Sequence, residues 1–475
     1  MECLVVIRSM SDLGLLASVA LSAVSGTLVG FGAGLVPGFH MNNIAAGLCA
    51  YAGLALALFG SLASATGSDQ AGLLTCCFVC AAMVSHLFSE TITSAYVGIP
   101  AEDTVSVLPA HRLAKAGLGS VAVKVAADGC LAGLVLSLLV LFPLCAVMAP
   151  PVDLYGRLKS VMAFMVLAFS VVLVATEGFP SLKVARRVRD ALRRMLAGAS
   201  FFVLAGLIGV IVLMTNFYAC AIPDMPWIDE PFVAKSSLLL PMFAGLFGIP
   251  GLLLSFGSRS VLDIASDAAV GKGFGPGLRE AATALLGGVI VGWMPGMTSG
   301  SAVTLCSPAV SELSSRDDVH ESLRFIWLYS AVSAAGAVFA VGALFVISRA
   351  RSGTMDAVRY FVGGESPQGS WHESAPIMAA ILLAMVMAAV ISHFILLSCD
   401  SRLTRMRRAL CSDRLAMISL VFVVSLSIGL TGTRGAMLLV ACTALGLLPP
   451  LLGVRRIQLM GCLLVPVELL FLESL

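Results

Sequence analysis

Gly34-Leu35-Val36-Pro37-Gly38-Phe39-His40-Met41-Asn42-Asn43 and Gly292-Trp293-Met294-Pro295-Gly296-Met297-Thr298-Ser299-Gly300-Ser301 are two copies of one pattern in an almost continuously apolar chain. Each follows a Gly-rich apolar run and ends in uncharged polar side chains. Proline removes a backbone donor and glycine accepts nearly any φ/ψ, so both interrupt helices. In lipid such an interruption persists only where protein or trapped water satisfies the freed backbone groups. Matched interruptions in the two halves of a chain point to a transporter's binding site near the bilayer midplane.

Working outward, the composition sets the class. Of 475 residues, 59% are hydrophobic and 12% charged, against about 25% charged in soluble domains. Apolar segments fall near 14–36, 43–64, 71–95, 118–149, 160–177, 198–217, 236–256, 281–310, 324–348, 376–398, 415–431, 433–450 and 457–473. A crossing needs about 20 apolar residues, so the pattern predicts an all-α polytopic membrane protein with about ten to twelve transmembrane helices. The chain divides into a first repeat (1–117), connecting helices with a basic loop (118–279), a second repeat (280–360) and C-terminal helices (361–475). A formal charge of +2 offers no surplus for nucleic acid. The 46 glycines suit closely packed membrane helices. Cys76-Cys77-x-x-Cys80 lacks the second pair that a metal site needs and reads as small apolar residues in a buried helix. Arg8 ahead of an apolar run resembles a signal peptide, but that run leads straight into the first Pro-Gly motif and reads as a retained helix.

Arginine places the loops. Lys183–Arg194, Arg402–Arg414 and Arg455-Arg456 should face the cytoplasm, and the acidic 218–235 loop the outside. Counting crossings puts His111, Arg112 and Lys115 inside, the 257–279 loop inside and 360–375 outside. The two repeats then run in opposite senses across the membrane, with an external N-terminus and the two Pro-Gly tips meeting.

A second polar interruption follows each break. In the first repeat it is Gly98-Ile99-Pro100-Ala101-Glu102-Asp103-Thr104-Val105-Ser106, preceded by Glu90-Thr91; in the second it is Arg349-Ala350-Arg351-Ser352-Gly353-Thr354-Met355-Asp356, preceded by Ser330 and Ser333. Ionisable groups inside membrane segments usually face a cavity or a partner. The candidate substrate-binding set is therefore Pro37, Gly38, His40, Asn42, Asn43, Pro295, Gly296, Thr298, Ser299, Gly300, Ser301, Arg351 and Ser352. Helix N-termini after the prolines and an Arg351 clamp suit an anion. Glu102, Asp103 and Thr104 are candidates for a coupling Na+ or H+; no metal or other cofactor is expected. Plainer roles stand beside these: a solvated loop for Glu102-Asp103, a snorkelling or positive-inside side chain for Arg351, and for His40 a hydrogen bond to backbone freed by Pro37. His393 reads as a lone core histidine. No nucleophile is paired with a base, so no catalytic residue is assigned and an intramembrane lipid-modifying enzyme ranks last.

Pro37-Gly-Phe-His-Met-Asn, Gly98-Ile-Pro-Ala-Glu-Asp-Thr running to His111-Arg-Leu-Ala-Lys-Ala-Gly117, Gly245-Leu-Phe-Gly-Ile-Pro-Gly251, Arg351-Ser-Gly353 and Gly453-Val-Arg-Arg with Met460-Gly461 resemble the tripartite tricarboxylate transporter large permease (TctA-like) family. The form with His and Asn after Pro-Gly resembles its archaeal-type branch. The resemblance implies a multi-pass secondary transporter of the cell membrane that imports carboxylates. It also implies a small membrane subunit and an extracytoplasmic solute-binding protein as partners. Ala101-Glu102-Asp103 departs from the Ile-Pro-Gly-small-small loop of bacterial members, and its carboxylates would repel a polyanion unless protonated or cation-bound. Pro295-Gly-Met-Thr-Ser-Gly-Ser is similar also to polyprenyl-phosphate translocases, which implies a lipid-phosphate cargo on a related scaffold.

Overall fold

The computed structural model describes residues 13–36, 39–65, 70–96, 107–178, 188–214, 238–256, 275–294, 296–306, 319–363, 371–398 and 413–473. In chain order the helices are α1 (Leu13–Gly34), α2 (Met41–Ala50), α3 (Ala52–Ala65), α4 (Ala71–Tyr96), α5 (Val107–Lys115), α6 (Gly119–Met148), α7 (Leu154–Ala175) and α8 (Val188–Met214). A π-helical turn at Ala244–Gly248 precedes α9 (Ile249–Ser255). Then come α10 (Leu278–Trp293), α11 (Ser299–Cys306), α12 (Val319–Ile347), α13 (Gly353–Val362), α14 (Ala375–Ser398), α15 (Asp413–Leu451) and, after a 3-10 turn at Arg456–Met460, α16 (Gly461–Glu473). Seven of the described helices are long and apolar enough to cross a membrane, and four shorter apolar helices accompany them. The protein is an all-α polytopic membrane protein.

Small residues bring these helices together. On α1, Gly26 and Gly30 lie against the backbones of Phe78 and Ala82, and Gly34 lies against Ser89 on α4. A Cβ on Gly30 would overlap the Ala82 carbonyl. On α10, Gly288 and Gly292 meet Ala335 and Phe339 of α12 in the same way. Lipid supplies no hydrophobic drive between helices, so such backbone approach is what gives packing its energy. Residue numbers rise together in both contacts, so α1 runs parallel to α4 and α10 parallel to α12. Gly129 and Gly133 of α6 face Trp327 and Ala331, while Leu141 and Cys145 face Gly342, so α6 also runs parallel to α12. Against α4 it runs the other way, with Gly119 beside Tyr96 and Cys130 Sγ 3.9 Å from the Leu87 carbonyl. Helices α4 and α12 therefore point in opposite directions.

The packing exchanges parts between the two halves. Short helix α13, which follows α12, lies on α4, with Gly72 against Phe361 and the Cys76 thiol 3.5 Å from the Val358 carbonyl. Short helix α5, which follows α4, packs in turn on α12. Helix α14 packs on α4 as α6 packs on α12. Polar side chains within α1, α4 and α14 are tied together: the Ser85 hydroxyl donates to the Thr27 carbonyl (2.8 Å) and Ser392 donates to Ser85 (2.8 Å).

Two segments differ from expectation. The 43–64 run is not one helix but two, divided at Tyr51, whose ψ of 41° leaves the helical region. Gly47 and Gly53 bracket that break, and glycine weakens helix propagation on both sides. His393 is not alone: its Nε2 stands 3.8 Å from the Asp128 carboxylate of α6. The boundary expected between 431 and 433 coincides with a kink at Gly432, at φ 63°. Pro250 cannot donate to the carbonyl four residues back, and the π turn lies just ahead of it, with the freed Leu246 carbonyl against Gly446.

Candidate functional site

The sequence around the first break builds a cap. His40 has an extended backbone (φ −113°, ψ 152°), and its Nδ1 accepts the Asn42 N–H at 3.1 Å. This fixes Nδ1 as the unprotonated ring nitrogen, and supports the backbone-capping reading of His40. The His40 ring lies edge-on to His86 with centroids 5.5 Å apart, and His86 Nε2 is 3.5 Å from the Glu90 carboxylate. At the end of α1, the Thr93 hydroxyl of α4 bonds the Gly34 carbonyl at 3.3 Å, covering one backbone group left open by the interruption.

Asn42 reaches the other half. Its Oδ1 accepts the Thr354 N–H (3.0 Å) and the Thr354 hydroxyl (2.9 Å), while Ser352 Oγ accepts the Met355 N–H (3.2 Å). Two side chains from separate halves of the chain thus cap α13 together, immediately after Arg351. The Arg351 guanidinium donates from Nη2 to the Tyr155 hydroxyl at 3.3 Å and sits 5.9 Å over the Tyr155 ring. Its buried Nε–H has no hydrogen-bond partner, and no carboxylate pairs with it among the described residues. Burial pulls the Arg351 guanidinium below its ordinary range, Tyr155 opposes this, and Arg349 adds to it. Arginine titrates so high that it remains a cation at neutral pH.

The second break is built differently. Gly296 takes φ +74°, a conformation that favours glycine, and a Cβ there would meet Leu464 of α16 at 3.0 Å. Thr298 and Ser301 cap α11 reciprocally: the Thr298 N–H donates to Ser301 Oγ (2.9 Å) and the Ser301 N–H to Thr298 Oγ1 (3.3 Å). Ser299 and Ser301 are buried, and Gly300 O accepts the Thr304 hydroxyl at 2.8 Å. The buried Trp293 indole N–H, two residues before Pro295, has no partner among the described residues. Gly34 is level with Glu90, which shares a cavity with Ser330, whereas Gly292 is level with Phe339. Nine residues of α12 separate those heights, roughly 14 Å at helical rise, so the helix ends that lead into the two breaks are offset and do not meet at one level as expected.

The structure thus brings His40, Asn42, Ser352 and Arg351 into one neighbourhood and holds Gly296, Thr298, Ser299 and Ser301 against α16 and α11. Pro37, Gly38, Pro295, Glu102, Asp103 and Thr104 lie outside the described residues, as does the side chain of Asn43, which sits in α2. Sequence reasoning placed Thr354 in the second polar interruption without a role, and missed Tyr155 and the contact of His86 with Glu90. The last had a legible signal, since the two are four residues apart on one helix.

A second feature joins the halves. Glu90, Thr91 and Ser94 of α4 line a cavity of ≈ 20 Å³ with Ser330 and Ser333 of α12 and Cys130 of α6. The polar pairs that precede each second interruption therefore face one space.

Comparison with known proteins gives the same family as the motifs. The model of the tripartite tricarboxylate transporter TctA family matches residues 20–461. An uncharacterized protein of Methanocaldococcus jannaschii is 28% identical over 232 residues, 48% of this chain and 47% of that protein. The match thus spans about half the length of that relative. No solved structure matches the chain. The family match extends over nearly the whole sequence and the described helices include seven fit to cross a membrane, so the chain belongs to the tripartite tricarboxylate transporter TctA family as a multi-pass membrane protein.

Proposed function

We propose that this protein is the permease of a secondary transporter for an organic anion of the carboxylate class. It would work by alternating access around its two Pro-Gly interruptions, in repeats inverted across the membrane. The observation that carries this reading is Arg351: a part-buried guanidinium whose buried Nε–H is unused, with no acidic partner among the described residues, beside the N-terminus of α13. Leaving a buried donor unsatisfied costs about 1–3 kcal/mol, more when charged, and a planar carboxylate offers the two acceptors the fork is shaped for. Membership of a transporter family and the opposed directions of α4 and α12 support the same reading. Membrane lipid surrounds the protein in this reading, and a small membrane subunit and an extracytoplasmic binding protein are its partners.

The test is binding by purified protein. Mono-, di- and tricarboxylates and a short-chain polyprenyl phosphate are screened by thermal stabilisation, in wild type and in Arg351→Lys. A lysine keeps the charge and loses the fork, so carboxylate stabilisation should weaken clearly. Equal stabilisation in both proteins removes Arg351 from the site. Stabilisation by the lipid phosphate alone replaces the carboxylate with the translocase reading.

A further inference from the structure

We propose that the cytoplasmic end of α7 and α8, with the 3-10 turn at Arg456–Met460, binds the phosphate headgroup of an acidic phospholipid. Arg456 of the turn holds it together with Arg193 and Arg194 of α8. The two neighbouring arginines of the turn do different work. Arg455 is spent inside the protein: its Nε donates to Glu177 at 3.0 Å and its Nη2 to the Thr176 hydroxyl at 2.7 Å. Arg456 is part-buried and makes no hydrogen bond or ion pair among the described residues. Glu177 is already engaged, since it accepts the Arg455 backbone N–H, the Arg455 Nε–H and the Gln458 amide. A part-buried cation with no counter-charge in the chain is costly, and an anion from outside relieves it.

Helix α8 brings more positive charge to the same place. The 3-10 turn packs on α8, with Gly198 against the Glu177 and Gln458 side chains, and Gly178 lies against Met195. Arg194 stands one helical turn before Gly198 on that face. Five arginines (189, 193, 194, 455 and 456) thus gather at this end against two carboxylates, Glu177 and Asp190. What lies below them favours a lipid over a soluble anion. Exposed Arg189 and Arg193 head a stripe of exposed Leu196, Val203, Leu207 and Ile211, which share one face of α8 at helical spacing. Positive charge above an exposed apolar stripe fits an amphiphile, with its phosphate at the arginines and its acyl chains along α8. The arginine-rich loops assign this end to the cytoplasmic face, where basic clusters meet acidic lipids. Helix α7 is 22 residues long, about 33 Å, and holds Tyr155 with Arg351 at its other end. Loss of the lipid site therefore leaves the carboxylate reading standing.

The experiment uses full-length protein, delipidated in detergent with no carboxylate added. Thermal unfolding is followed on titration with dioleoylphosphatidylglycerol, dioleoylphosphatidylcholine or inorganic phosphate, and bound lipid is counted by native mass spectrometry. The expected result is saturable stabilisation by phosphatidylglycerol well above phosphatidylcholine, with one phosphatidylglycerol retained per chain and the effect weakening as salt rises. Arg456→Gln should raise the half-saturating phosphatidylglycerol concentration several-fold and leave the phosphatidylcholine response unchanged, with Arg456→Lys in between. Equal stabilisation by the two lipids overturns the proposal, as does the wild-type half-saturation in Arg456→Gln. If Arg456→Gln fails to fold, an unchanged half-saturation in the Arg193→Gln, Arg194→Gln double variant overturns it instead. Stabilisation by inorganic phosphate at the same concentrations assigns the arginines to a soluble anion and also overturns it.

Discussion

Asn42 and Thr354 are 312 positions apart in sequence, yet one side-chain oxygen of Asn42 receives both the backbone N–H and the hydroxyl of Thr354. A residue of the first interrupted motif thus holds the first turn of a helix in the second half. The hydrogen bonds are local, but what they join is the Pro-Gly break and the Arg351 loop.

Replacing Asn42 tests that joint. Asn42→Ala removes the acceptor from the N-terminus of α13, and lost caps cost about 1 kcal/mol, up to about 2. Asn42→Asp keeps the acceptor and adds negative charge at a helix N-terminus, which is favourable. Thermal unfolding in detergent should rank wild type and Asp together, with Ala lower. Uptake into proteoliposomes should fall in Ala more than its stability loss accounts for.

Tyr155 orients the guanidinium. Tyr155→Phe keeps the ring under Arg351 and removes one hydrogen bond to a charged group, a contact worth about 1.5–3 kcal/mol when buried. Carboxylate affinity should drop while the fold persists, which titration by thermal shift would detect. Unchanged affinity would mean that the hydroxyl does not position Arg351 for ligand.

Gly30 sets the distance between α1 and α4. Its α-hydrogen faces the Ala82 backbone, which cannot move aside as a flexible side chain would. Gly30→Leu should therefore separate the two helices and cost about 1–3 kcal/mol or more, as overpacking does. Gly32→Ala, on the same helix with open space beside it, should be close to neutral. A chemical-denaturation series on the pair reads the contrast directly.

Glu177 anchors the other end of the molecule. Nearly fully buried, it accepts from the Arg455 backbone N–H (3.2 Å), from Arg455 Nε (3.0 Å) and from Gln458 Nε2 (3.1 Å). Glu177→Ala leaves the buried Gln458 amide and the half-exposed Arg455 without their shared acceptor, and a lost hydrogen bond to a charged group costs about 1.5–3 kcal/mol. Expression and melting temperature should both fall steeply. Arg455→Lys, which keeps the charge and loses the fork, should be intermediate.

Much of the architecture was legible in the residues. Prolines 37 and 295 marked the interruptions flanking α1 and α10, and the polar run at 349–353 marked the loop between α12 and α13. The short Gly453-Val-Arg-Arg motif was recognisable, and its work is now physical: Gly453 takes φ +70° and Arg455 closes on Glu177. What stayed hidden was tertiary. Glu90-Thr91 and Ser330 with Ser333 stood out as polar spots, but only the crossing of α4 and α12 puts them around one space. Tyr51 divides a run that hydropathy joins, because periodicity counts apolar residues and does not register a change of ψ. Asp128 gave His393 a partner that no local spacing announces, since the pair belongs to different helices.

The Ser85–Ser392 hydrogen bond carries a consequence for biogenesis. Helix α4 must enter the bilayer during synthesis, while the residues that cover its inward face, in α12, α13 and α14, are still unmade. A nascent chain halted before Ser392 would present Ser85, His86 and Glu90 to lipid, where polar groups are costly. Early truncations should therefore be recognised by membrane proteases, and α4 becomes durable only once the ribosome has finished α14.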